Sequence, residues 1–452
     1  MWAPTAFTPF FQSYCFFFCI NDLLFLEWKL NHCFSSRVHK MYTKNDVLED
    51  VFDKFLRGPC IFKDREVLRA DYVPDHLPHR EEQIKRIGSI LVPVLRNFRG
   101  SNILIYGKTG TGKTAVVKYV LKRLIQRAQE AGTSIKACYV NCRLAGTDYR
   151  VLARLCESIG LRIPFTGLAT GEVFDRFKIE LEASNFLLIT ILDEIDALVK
   201  GVGDTLLYEL TRANESFRHG HISIIGVSND LCFKELLDAR VLSSLSEEEA
   251  VFRPYSAPEL YDILLERAKI SFVDGILTDG ALNLCSALAA AEHGDARRAL
   301  DLLRVAGELV EREGGDRITD DYIRRAQEKI EQDRVIEVLK TLPLHSKIVL
   351  CGAYLMKRET MKTAVTGDIY EVYRELCNIL NLEPLTQRRV SGLVNELDTI
   401  GILNTKVVSL GRYGRTKKIE ISVPRSLVRG VYSEDNWVGK LIEYKPRCFA
   451  DK

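Results

Sequence analysis

The segment Gly107-Lys108-Thr109-Gly110-Thr111-Gly112-Lys113-Thr114 has the make-up of a backbone wrapped around phosphate. Its glycines let successive N–H groups turn toward one anion, and a helix opening there adds the positive end of its dipole. At this spacing Lys113 reaches the β- and γ-phosphates of a nucleotide and the Thr114 hydroxyl ligates Mg²⁺. The expected phosphate-side contacts are Gly107, Gly110, Thr111, Gly112, Lys113, Thr114 and Ala115. Farther along, Asp193-Glu194 ends the apolar run Phe186–Leu192. Asp193 would hold the Mg²⁺ through water, and Glu194 would orient or deprotonate an attacking water. Asp196 either joins this acid set or caps a helix. Asn229 either positions the same water or makes a turn. These residues point to phosphoryl chemistry on ATP or ADP with Mg²⁺.

Such a site needs strands that end beside one another. Asn102–Tyr106 reads as a strand running into the glycine loop, with helices over 81–98 and 113–130 on either side. Ala137–Asn141, Phe186–Leu192 and Ile222–Val227 are further strands, each separated from the next by helical pattern. Strands alternating with helices predict an α/β domain with a parallel sheet covered on both faces. Beyond Pro254 only helices follow, to about Arg334, and then short helices and a β-hairpin, Asn404–Leu410 with Lys418–Val423. The expected boundaries are 41–251 for the P-loop ATPase domain, 252–334 for a helical lid, 335–425 for a C-terminal domain and 426–452 for a tail. Residues 1–40 hold eleven aromatics and no Lys or Arg before Lys29. They lack the basic start of a secretory signal and the uninterrupted apolar length of a membrane helix. The composition changes at Met41, which predicts that Met41 is the natural start and that the leader is foreign to the native chain or disordered; the alternative is a hydrophobic anchor.

Apolar residues at 46% and charged residues at 27% exclude a disordered, collagenous or multi-spanning membrane chain. The net charge of +2 draws the whole molecule to no polyanion, but 335–425 carries 14 basic against 9 acidic residues. A nucleic-acid surface is therefore expected late in the chain. There Val390, Leu393, Val394 and Leu397 recur at helical spacing, which leaves Gln387, Arg388 and Ser391 at the exposed start of a helix that Thr386 and Arg389 also border. A helix that reads DNA presents that end to the major groove. The turn that follows carries Arg412, Tyr413, Arg415, Lys417 and Lys418, and it is either a phosphate-binding loop or a solvated charged one. The twelve cysteines are scattered without zinc spacing, which predicts buried free thiols.

Together these residues resemble the ATPases associated with diverse cellular activities (AAA+) and, within them, the archaeal origin-recognition and cell-division-control type replication initiators. The specific segments are Val73-Pro74 with Leu77-Pro78-His79-Arg80-Glu81, Asp193-Glu194-Ile195-Asp196, Gly226-Val227-Ser228-Asn229-Asp230, Arg240-Val241-Leu242, Phe252-Arg253-Pro254-Tyr255 and Gly294-Asp295-Ala296-Arg297. The resemblance spans about 41–425 and implies an AAA+ ATPase domain, a lid and a C-terminal winged helix that binds DNA. It implies that Asn229 is a first sensor of the γ-phosphate, and Arg297 a second that reaches over from the lid. Val73 and Pro74 would flank the adenine, and Tyr255 and Arg267 would be further nucleotide contacts. Arg240 would enter a neighbouring subunit's site. Thr166, Gly167 and Leu168 resemble the initiator-specific insertion that touches DNA, although a local turn is the simplest physical account of that stretch. The basic turn resembles a wing.

The implied function is an ATP-switched replication initiator, a weak ATPase that binds double-stranded origin DNA and helps recruit or load the replicative minichromosome-maintenance helicase. A paralogous initiator or self-association on DNA is a further expected partner, the location is cytoplasmic and nucleoid-associated, and no membrane is involved. The competing readings are a transcription regulator on an AAA+ scaffold and a DNA-stimulated motor or clamp-loading ATPase.

Overall fold

The computed structural model describes residues 59–164, 166–184, 186–360, 364–409 and 415–447. The leader 1–40 lies outside them. The first domain is a five-stranded sheet in the order β2-β3-β4-β1-β5, parallel throughout. Helix α1 (Glu81–Leu91) precedes β1 (Ile103–Gly107), and α2 (Lys113–Glu130) leads to β2 (Ile135–Asn141). Helices α3 (Cys142–Ala145), α4 (Asp148–Ile159) and α5 (Thr170–Ser184) connect β2 to β3 (Leu187–Asp193). Then come α6 (Ile195–Val202), α7 (Thr205–Arg212), β4 (His221–Ser228), α8 (Ala239–Leu245) and β5 (Glu248–Phe252). Every residue of β3 is buried, because Leu188 and Leu192 face the core under α4–α8 while Leu187, Ile189 and Ile191 face α1 and α2.

Two elements differ from expectation. The α-helix expected over 81–98 stops at Leu91 and continues as a 3₁₀ turn, Val92–Arg96, because Pro93 has no N–H to give a helix. Strand β5 was not expected. Two of its five residues, Glu-Glu-Ala-Val-Phe, are acidic, and it is a strand because β1 pairs with it along five residues and buries Ala250 and Phe252.

The lid comprises α9 (Ala257–Ser271), α10 (Asp279–Ala291), α11 (Ala296–Glu313) and the first half of α12 (Asp320–Thr341). Its core also takes in Ile61, Phe62 and Leu68, which the expected boundaries assign to the ATPase domain. Phe62 packs on Phe272 with ring centroids 4.9 Å apart, and the Lys63 N–H donates to the Ser271 carbonyl. The C-terminal domain is a winged helix of α13 (Leu344–Thr360), β6 (Ala364–Val365), α14 (Thr366–Ile379), α15 (Gln387–Thr399) and the hairpin β7 (Leu403–Ser409) with β8 (Arg415–Ile421). The expected tail is part of it: α16 (Arg425–Ser433) and the turn after it place Val428, Tyr432, Val438, Leu441 and Ile442 in the same core as α13–α15. The described cysteines are free thiols, and no helix among the described residues is long and apolar enough to cross a membrane.

Candidate functional site

The glycine loop leaves β1 and enters α2 with Gly112 as its N-cap residue and no side chain capping it. The first-turn N–H groups of an 18-residue helix thus face a cavity of about 580 Å³. Two glycines are there for want of room. A Cβ on Gly110, at φ +73°, would lie 1.7 Å from Asp295 Oδ1, and one on Gly112, at φ +87°, would lie 2.7 Å from the Tyr255 hydroxyl. Lys113 is buried and donates from Nζ to the carbonyls of Gly107 and Lys108, both at 2.7 Å. Burial pushes its ammonium down to about 8, against the opposing pull of Asp193.

Asp193 ends β3 with both carboxylate oxygens engaged. Oδ2 accepts from Thr114 Oγ1 and from the Tyr139 hydroxyl, both at 2.8 Å, and Oδ1 accepts from the Glu194 N–H at 3.0 Å. Burial and the Asp193 carboxylate hold the Tyr139 phenol above its ordinary range. Glu194 has left-handed backbone angles, φ +54° and ψ +43°, a conformation that costs a non-glycine residue about 1 kcal/mol or more. Its side chain is met by Asn141 Nδ2 at 3.3 Å and by Arg143 Nη1 at 3.6 Å. Asp196 does not cap its own helix; its Oδ1 accepts from the Ser228 hydroxyl at 3.1 Å and the Asn229 N–H at 3.2 Å, which fixes the tip of β4. A hydroxyl beside a carboxylate, under a buried lysine and a bare helix start, is a donor set suited to phosphate oxygens and a hard divalent cation.

The same cavity is lined by Val73, Pro74, Gly110, Thr111, Gly112, Lys113, Thr114, Ala115, Asp193, Glu194, Asn229, Tyr255, Arg267 and Arg297. Arg267 is buried in its wall, donating to the carbonyls of Val67 and Tyr72 and lying 4.7 Å over the Tyr72 ring. Gly107 does not line the cavity but gives Lys113 a carbonyl. Arg240 is outside it: exposed on α8, it pairs with Asp238 at 3.2 Å. Tyr139 and Asn141 line the site without having been singled out, and Arg80, quoted only within the segment Leu77–Glu81, bonds to the Thr111 carbonyl behind the glycine loop. Tyr139 and Asn141 are two apart on β2 and so share a face, but only the register of β2 beside β3 brings that face to Asp193.

In the winged helix Thr386 caps α15, accepting from the Arg389 N–H at 3.4 Å, and Gln387, Arg388 and Arg389 are exposed in its first turn. Ser391 bonds back to the Gln387 carbonyl, and Arg389 pairs with Glu396 at 3.3 Å. The chain reaches α15 through Leu385, whose backbone is held on both sides of its Cα: its N–H donates to the Tyr373 hydroxyl at 3.1 Å, and its carbonyl accepts from the Tyr370 hydroxyl at 3.2 Å. Lys417 of β8 bonds to Asn395 of α15, and Lys418 beside it is exposed. Arg412 and Tyr413 lie outside the described residues; the backbone of Arg415 pairs with Ser409 at the open end of the hairpin. Thr166 and Gly167 form an exposed bend between α4 and α5, and Leu168 packs partly against the domain core.

Comparison with known proteins agrees with this anatomy. Residues 96–231 match the model of the AAA domain, 261–328 that of the Cdc6 AAA+ ATPase-type lid domain, and 337–430 that of the CDC6 C-terminal winged helix domain. The chain is 52% identical over 396 residues to the ORC1-type DNA replication protein of Thermococcus onnurineus, covering 87% of this chain and 95% of that one. It is 50% identical over 408 residues to the ORC1-type DNA replication protein 1 of Methanosarcina acetivorans, covering 90% and 98%. Among solved structures, the Aeropyrum pernix ORC1 protein in complex with DNA is 49% identical, with a TM-score of 0.73 and coverage of 84% of this chain and 99% of that one. Likeness at this level, running through all three domains, means that the chain belongs to the family of ORC1-type DNA replication proteins.

Proposed function

We propose that this protein is an ATP-switched replication initiator that binds double-stranded origin DNA and helps recruit or load the replicative helicase. The observation that carries the reading is helix α12. Ile323 and Ala326 near its start are buried in the lid core, and Leu339 near its end is buried in the winged-helix core. One helix, about 33 Å long at 1.5 Å per residue, is thus built into both the wall of the phosphate cavity's lid and the DNA-facing domain. A change in lid angle would be delivered to the recognition helix as a rotation.

ATP or ADP would take the cavity, with phosphates at the glycine loop and Lys113. Mg²⁺ would be held by Thr114 and, through water, by Asp193, and it would supply charge neutralisation of the phosphate oxygens. Glu194 and Asn229 hold the attacking water, and Arg297 comes from the lid to the γ-phosphate. Arg240 faces away from its own cavity, so fast hydrolysis needs a second copy, and ATP serves the single chain as a state marker. The relative solved with DNA supports DNA binding as such; the exposed cations at the start of α15 and on β8 favour duplex against α15 and the hairpin, with the bend at 166–168 as a second contact. The helicase partnership rests only on the resemblance to the replication initiators.

The test is retention of sheared genomic duplex by the purified protein with ATP or ADP and Mg²⁺. The reading expects one or a few loci to be enriched, with a nucleotide-dependent yield. Uniform retention of all fragments, indifferent to nucleotide, would count against it.

A further inference from the structure

Arg80 is the largest fully buried side chain described in the protein, at 0% exposure, and among the described residues no carboxylate comes within ion-pairing distance of it. A guanidinium stays charged even when burial lowers its pKa, as it does here, so its charge must be met by dipoles. Three carbonyls meet it. Nε donates to Thr111 in the phosphate loop at 3.0 Å, Nη1 to its neighbour His79 at 3.1 Å, and Nη2 to Arg253 at 2.8 Å, where β5 turns into the lid. Its Cζ lies 3.7 Å from the centroid of the Tyr255 ring, whose hydroxyl abuts Gly112.

The backbone around Arg80 is pinned to the lid as well. His79 Nε2 is 2.8 Å from Asp262, and His76 Nδ1 is 3.0 Å from Glu266, one turn on along α9. On the other side of the loop, the Ala296 N–H at the start of α11 donates to the Gly110 carbonyl at 3.1 Å. Consecutive peptides of the loop are therefore held from the lid side: Gly110 C=O by α11 directly, and Thr111 C=O by Arg80. Because a trans peptide sets its C=O and the following N–H on opposite sides, these two bonds aim the N–H groups of Thr111 and Gly112 away from the lid attachments. A body fastened at one point can pivot freely, whereas each further attachment removes a rotation, and the bonds from Arg80, His79, His76 and Ala296 lie at separate points of the lid.

We infer that Arg80 is the positioning residue that ties the shape of the phosphate loop to the angle of the lid, so that an anion taken up by the loop is felt at Arg253 and Tyr255. This rests on the nucleotide site proposed above and adds the residue through which that site speaks to the rest of the chain. Arg80 touches no phosphate position itself; it acts through Thr111 and the hinge.

The test is hydrogen exchange on the full chain, with and without saturating MgADP, for wild type, Arg80→Gln and Arg80→Lys. Lysine keeps the charge and the stem but cannot bond three carbonyls in a plane. Saturation is set for each variant by titration with a fluorescent ADP. In wild type, ADP slows exchange both in the loop and start of α2 and across the lid peptides of α10 and α11. In both variants the loop still responds at saturation while the lid response is lost. A merely structural role would instead raise exchange throughout, with and without ADP, and leave the lid's response to ADP intact; that result overturns the inference. If Arg80→Gln does not fold, Arg80→Lys alone decides by the same two outcomes. A wild-type loop that responds with no change in the lid also overturns it while leaving the nucleotide site standing, and a wild-type loop that does not respond removes the nucleotide site too.

Discussion

The Tyr139 hydroxyl and the Thr114 hydroxyl donate to the same oxygen of Asp193, each at 2.8 Å. Thr114 starts the helix after the glycine loop and Tyr139 belongs to the edge strand, so Asp193 is oriented from both sides. Tyr139→Phe removes one of these bonds. Loss of about 1 kcal/mol predicts a roughly fivefold weaker nucleotide affinity in Mg²⁺. Affinity without Mg²⁺ should not change, and titrations in Mg²⁺ and in a chelator compare the two.

Lys113 gives the site a pH dependence. Its ammonium is held at about 8 by burial, and phosphate binding needs it charged. Below pH 8 the proton is already present and affinity is flat. Above it a proton must be taken up with the nucleotide, so affinity falls by up to about tenfold per pH unit. Lys113→Arg, charged throughout, should flatten the profile between pH 7 and 9.5. Folding has the opposite sign: the unfolded chain holds this proton more tightly, so the group's contribution to stability without nucleotide rises from pH 8 toward its ordinary 10.5.

Arg388→Ala with Lys418→Ala should weaken duplex binding and leave nucleotide affinity unchanged, since both side chains are exposed in the winged helix, away from the cavity. Each lost phosphate contact flattens the log–log salt dependence by about 0.9. Anisotropy titrations over a salt series check both statements, and equal loss of nucleotide binding would contradict the division of labour.

Tyr373→Phe should act on the start of α15. It leaves the Leu385 N–H without its acceptor and takes away the hydroxyl 2.8 Å from His345 Nδ1. A partly buried donor left unpaired costs about 1 kcal/mol or more. Chemical denaturation measures that loss, and preference for a specific duplex over random DNA should fall with it.

Arg240→Ala should leave nucleotide affinity of the single chain unaltered, because its side chain pairs with Asp238 outside the cavity. Any hydrolysis stimulated by assembly on DNA should collapse, since a supplied arginine accelerates phosphoryl transfer by about 10³–10⁵. Steady-state hydrolysis with and without duplex, over a range of protein concentration, separates the two cases.

The parts of the molecule legible in the sequence were those whose signal is local. The loop from Gly107 to Thr114 carries its geometry in its own glycines, and the β3 run announces a doubly buried strand ending in acids. The α15 face follows from four apolar residues at helical spacing. What stayed hidden depends on partners distant in the chain. Strand β5 exists only by pairing with β1, some 145 residues earlier. Tyr139 and Asn141 gain a role only because β2 lies beside β3. The residues after 425 look like a tail until Val428 and Tyr432 are seen under α13 and α12. Arg80 looks like a surface arginine in the run His79-Arg80-Glu81, and nothing local says that three carbonyls and two aromatic rings enclose it.

The most direct test of the central claim is protein–DNA crosslinking with sequencing in the cells that make this protein, at fixed washing salt. An origin-binding initiator predicts one or a few sharp peaks at repeated sequence elements that coincide with the start of newly replicated DNA. Many peaks at promoters, or a flat profile, would contradict it.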